Sequence, residues 1–110
     1  MQTIQRKIAM FKLVEPISGN AIRITPAWNW NGVSGEIVKI NGIDIHSTLP
    51  DQIKAIREEI LKQRLVSLFQ TFEFKLTNPL RVELFENKNA IKCDILLNGV
   101  NIANYFPEYK

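Results

Sequence analysis

The sequence predicts a mainly β protein with a single helix set between its third and fourth strands. Three observations carry that expectation. Apolar residues recur with period two in the first 45 residues, with helical period over residues 51–69, and with period two again afterwards. Turn residues also punctuate the chain where each period would have to end.

The elements follow in order. Ile8 to Val14 is apolar with Lys12 interposed, which suits a strand with a buried face. Pro16 and Ser18-Gly19-Asn20 supply turn chemistry, and Ala21 to Thr25 alternates, with Ile22 and Ile24 on one face and Arg23 on the other. These two segments read as a hairpin. Pro26 to Gly32 reads as a connection closing on an Asn-Gly turn. A third strand is expected from Gly35 to Ile45, with Ile37, Ile43 and Ile45 inward and Gly42 as a bulge.

Thr48-Leu49-Pro50-Asp51 then resembles a helix start, and Ile53, Ile56, Ile60, Leu61, Leu65, Leu68 and Phe69 fall at helical spacing. Ile56 and Ile60 on this stripe, and Phe74 after it, are expected in the core. Phe72, Phe74 and Leu76 alternate with charges, Thr77-Asn78-Pro79 breaks the run, and Leu80, Val82 and Leu84 alternate again. The polar turn Glu86 to Asn89 leads to Ile91, Cys93, Ile95 and Leu97. Asn98-Gly99 is a turn signal, with a short helix or last strand over Asn101 to Tyr105.

Three strands, a helix, then two or three strands is the order of an OB-fold-like five- or six-stranded Greek-key barrel. Closure suits a short chain because it removes exposed strand edges. The rival is an open α+β sheet with one packed helix. Residues 1–110 are read as one domain, since no repeat, low-complexity segment or linker interrupts them.

Composition excludes several function classes. Fourteen Lys and Arg against eleven Asp and Glu give a formal charge of +3, and 45% of residues are apolar, the profile of an ordinary globular domain. No apolar run approaches the roughly 20 residues of a membrane span, and the start lacks the apolar core of a secretion signal. With Cys93 as the one cysteine, a reducing, cytoplasmic location is expected. Basic residues are interleaved with acidic ones, so charge alone marks a mixed surface.

The segments Lys12 to Arg23, Val38 to Ser47 and Asp94 to Asn104 together resemble the motif-bearing regions of the staphylococcal nuclease-like family of OB-folds. Ser18-Gly19-Asn20 stands at its Asp-Gly-Asp turn, and Asn98-Gly99-Val100-Asn101 near its Gly-x-x-Val-Asn segment. The resemblance covers about residues 11–106 and implies a barrel. It also implies that the family's nuclease site is degenerate here. Ser18 and Asn20 stand for two metal-binding Asp, Lys39 for one Arg, Ser47 for the Glu and Ala90 near the second Arg, while Asp44 alone matches. Calcium requires six to eight oxygens rich in carboxylate, which one Asp among neutral neighbours does not supply. Hence no catalytic residue, no metal and no cofactor is expected.

Other chemistry is sparse. His46 beside Asp44 has no visible nucleophile, Cys93 alternates with Ile91 and Ile95 as a buried residue would, and no Gly-rich phosphate cradle occurs. Trp28 and Trp30 are two apart in a connection. They either close the barrel end, stack on bases, or anchor a protein partner. With Arg23, Lys39 and Lys88 following phosphates, they form the candidate binding set for single-stranded nucleic acid. Tyr105, Phe106 and Tyr109 form a second aromatic group, which packs back on the barrel or meets a partner. The expected function is a non-catalytic nucleic-acid-binding module, with a protein-interaction subunit as the alternative and a divergent phosphodiesterase behind both.

Overall fold

The computed structural model describes residues 10–18, 20–43, 50–69 and 73–106. Their order is β1 (Lys12–Ser18), β2 (Ala21–Trp30), β3 (Val33–Ile40), α1 (Asp51–Phe69), β4 (Lys75–Phe85), β5 (Lys88–Leu97) and β6 (Val100–Asn101). A 3₁₀ turn over Ile102–Tyr105 follows. The strands lie in the order β1-β2-β3-β5-β4, with β6 also on β5. β3 and β5 run parallel, and the other pairs are antiparallel. The two end strands approach where Phe11 and Phe74 exchange backbone hydrogen bonds of 2.8 and 2.9 Å. This is a mainly β fold, a six-stranded and mostly antiparallel open sheet curled like an OB barrel, with the helix between strands three and four.

Three two-residue turns set the hairpins. Asn31-Gly32, Glu86-Asn87 and Asn98-Gly99 all have positive φ at both positions, the geometry that matches strand twist. Asn and Gly reach it at little cost, which is why two of these turns are legible in sequence. At the C-terminus the Asn101 side chain accepts from the Ala103 N–H at 2.9 Å and caps the 3₁₀ turn.

Inside, Ile22, Ile24, Val38, Ile40, Leu76, Ile91, Cys93, Ile95 and Leu97 form one cluster with Trp28, Phe74 and Phe106. Pairing Ile22 with Val38 and Ile40 with Cys93 puts apolar partners side by side across neighbouring strands.

The helix differs from expectation in the face it buries. Leu61, Leu65 and Phe69 are buried, whereas Ile53, Ile56 and Ile60 are 47%, 59% and 49% exposed. The apolar positions from Ile56 round to Phe69 cover roughly 220° of the helix at 100° per residue, more than one barrel end can cover. Burial falls to the stripe carried by the C-terminal half, so Ile56 and Ile60 are not core. Phe74 is.

Three boundaries also shift. β1 runs to Ser18, with Pro16 opposite Ile22, and β2 carries Pro26 to Trp30 within it through a register shift between Arg23 and Trp28. β3 ends at Ile40. Gly42 is a turn residue at φ +91, where an added Cβ would lie 2.9 Å from Ala103 Cβ. The two runs expected around Thr77-Asn78-Pro79 are one strand, β4. Asn78 takes a positive φ inside the irregular register between Thr77 and Arg81. Ile45 and Phe72 lie outside the described residues.

Candidate nucleic-acid interface

The outward-facing residues of the sheet come together by register. Lys39 on β3 pairs with Lys92 on β5, and Lys92 pairs with Arg81 on β4. Directly paired residues share a face, so three cations lie side by side at the ~4.8 Å spacing of strands. The next row carries Arg23, Ile37, Ala90 and Glu83.

Glu83 serves two of the cations. Its carboxylate lies 3.4 Å from Lys39 Nζ and 2.9 Å from Arg81 Nε. The Lys39–Glu83 pair spans β5, passing over Ala90, whose small side chain is fully buried. Burial pushes the Glu83 carboxyl up, but Lys39 and Arg81 together outweigh it and hold the group below its ordinary value. Lys39 Nζ also sits 5.9 Å from the Phe85 ring centre. Asp94, the nearest other carboxylate on β5, accepts instead from the side-chain amides of Asn41 and Asn78, each at 3.0 Å. Among the described residues, Lys92 is the cation of this row that forms no ion pair.

Trp28 is not a stacking platform. It is fully buried, its indole N–H donates to the Ile37 carbonyl at 2.8 Å, and its ring lies over Gly35. A Cβ on Gly35 would come within 2.8 Å of that ring and 2.7 Å of the Asn89 carbonyl oxygen. Gly35 is the residue that lets the indole lie on the backbone, so Trp28 fills the barrel. Trp30 is half-buried beside the β2–β3 turn and packs against the core edge. The Asn89 side chain donates to the Ser34 carbonyl at 3.2 Å, tying that hairpin to the β4–β5 hairpin, which bears exposed Lys88. Arg23 ion-pairs with Glu15 across β1 and β2. Lys39 therefore joins the cation row, Trp30 and Lys88 lie on adjoining hairpins, and Arg23 is engaged within its own.

The C-terminal aromatics separate. Phe106 is buried, with the Arg64 guanidinium 4.5 Å from its ring centre, so it closes the barrel against α1 and is no partner surface. Arg64 also donates to the Tyr105 carbonyl at 3.0 Å, and Tyr105 is 39% exposed. Tyr109 lies outside the described residues, as do Gly19, Asp44, His46 and Ser47. Asn20, at a position where the resemblance implies a carboxylate, has its amide 3.4 Å from the Ile43 carbonyl and ties the β1–β2 turn to the chain after β3.

Cys93 is fully buried, and burial, with a smaller push from Asp94, raises its thiol to about 12. It is a core residue, not a nucleophile. Among the described residues no group of three His, Cys, Asp or Glu could hold a metal, and no helix is long and apolar enough to cross a membrane. Two surface depressions flank α1, one of ≈350 Å³ against Pro16 and one of ≈280 Å³ against Tyr105 and Phe106. Neither is lined by a residue of the cation row.

Sequence reasoning did not single out Lys92 and Arg81. Alternation marks both as outward-facing, but only register places them beside Lys39. Compared with family models, curated proteins and solved structures, the chain matches none of them.

Proposed function

We propose that this domain is a non-catalytic OB-like module that binds the backbone of single-stranded or irregular nucleic acid across the outer face of β3, β5 and β4. The observation that carries the reading is the cross-strand row Lys39, Lys92 and Arg81. Like charges placed directly opposite destabilise a sheet, and among the described residues Glu83 is the carboxylate that ion-pairs with them. A phosphate seated on Lys92 would relieve that repulsion and release condensed counterions. Trp30 supplies one aromatic face at the adjoining hairpin.

The test is fluorescence anisotropy with a labelled oligothymidylate of about 15 nucleotides, within the range of single-barrel site sizes. Affinity should fall with salt, with a log–log slope near −0.7 for each phosphate contact, and Lys92→Ala should remove about one contact from that slope. Trp30→Ala should weaken binding by roughly 1–3 kcal/mol. Binding that ignores both substitutions, or none at about 50 mM salt, overturns the reading.

A protein-partner reading is favoured by a different observation, the exposed Ile53, Ile56 and Ile60 at i, i+3 and i+7 on α1. An apolar stripe on a helix is a common anchor for a partner groove. Loss of oligonucleotide binding together with Ile56-dependent capture of a defined partner would shift the function there.

A further inference from the structure

We propose that the outer edge of β4, unpaired from Leu80 to Phe85 among the described residues, is a self-pairing surface, through which two copies of this chain join as a two-fold antiparallel β4–β4 dimer centred on Val82. β4 ends the strand path β1-β2-β3-β5-β4. Among the described residues, its far edge is met only at Phe74, by Phe11. Among the described residues, the stretch Leu80 to Phe85 has no strand on this edge. An unpaired edge carries a row of backbone donors and acceptors and pairs readily with another strand unless its side chains oppose it.

Here the side chains favour one particular partner. Leu80 is 50% exposed and Leu84 71%, and they flank Val82, which packs partly on the core. Arg81 and Glu83 alternate with them. The run Leu80-Arg81-Val82-Glu83-Leu84 is chemically symmetric about its centre. Two copies placed antiparallel bring Val82 opposite Val82, each Leu80 opposite a Leu84, and each Arg81 opposite a Glu83. All five positions are matched, and both charge pairs are of opposite sign. A shift of one residue in either direction sets charged residues opposite apolar ones, so the register is specified as well as the orientation. A two-fold contact uses the same patch on both subunits, as this symmetry requires.

The edge is short. One strand pair covers much less than the ~800 Å² per partner of a stable interface, so the dimer is weak and depends on concentration. It engages the edge of β4 and does not rest on the nucleic-acid reading.

Sedimentation of the full chain between about 10 µM and 1 mM should show a reversible monomer–dimer equilibrium, as small interfaces give. Arg81→Glu and Glu83→Arg each place like charges opposite one another twice in the dimer, and each should weaken self-association about tenfold. Circular dichroism confirms that each variant folds. Mixing the two single variants should restore association. One chain then brings a carboxylate at both positions and the other a guanidinium at both, so each cross-strand charge pair is again of opposite sign. The double variant should also dimerise like the parent. Association unaffected by either single swap, or not restored on mixing, overturns the proposal. So does a monomer at about 1 mM, which would leave the edge to a strand from elsewhere.

Discussion

Replacing Trp28 with Phe separates a barrel-filling indole from a ligand-binding one. Two losses add. The indole N–H donates to the Ile37 carbonyl at 2.8 Å, and Phe leaves that buried acceptor without this donor, at about 1–3 kcal/mol. The smaller ring also vacates roughly 40 Å³ beside Gly35, worth about 1 kcal/mol at the usual cavity cost. The expected loss is therefore about 2–4 kcal/mol, a fall in melting temperature of roughly 10 °C or more for a domain of this size. Urea unfolding followed by circular dichroism reads it directly. In a Trp30→Phe background, Trp28 should emit as a buried indole and keep that emission when oligonucleotide is added. A loss below about 1 kcal/mol, or quenching of Trp28 by the oligonucleotide, would refute the assignment.

Two further outcomes are expected from the same core. Leu61→Ala should cost about 2–5 kcal/mol because Leu61 is fully buried, whereas Ile60→Ala, at a site 49% exposed, should cost under about 1 kcal/mol; paired denaturant melts check the contrast. Cys93 should contribute a loss of stability at high pH. Its thiol holds its proton to about 12 in the folded state but ionises near 9 when unfolded, so the folded state binds more protons between those values. Across that window the parent should lose up to about 1.4 kcal/mol per pH unit more than Cys93→Ala does, as read by urea melts at stepped pH.

The sequence by itself determined the class of fold and its order. Period-two runs, the helical run from Asp51 and the Asn-Gly turns are local properties, because side-chain alternation and positive φ are settled within a few residues of chain. The inward position of Cys93 was legible for the same reason. Tertiary structure decided which of several locally equivalent choices won. The isoleucine stripe of α1 and the Leu61-Leu65-Phe69 stripe are both apolar, and the position of the barrel alone selects the second. Trp28 and Trp30 look alike in sequence, yet the absence of a Cβ at Gly35 opposite Trp28 gives one of them a place inside. The cation row is the clearest case. Lys39 lies far in the chain from Arg81 and Lys92, which face each other across the Glu86-Asn87 hairpin, and each reads as an ordinary outward charge. Their adjacency comes from the parallel β3–β5 and antiparallel β4–β5 registers. The β4–β5 register follows from its tight turn, whereas the β3–β5 register that brings Lys39 alongside is fixed by the packing of the whole core, and no local pattern encodes it.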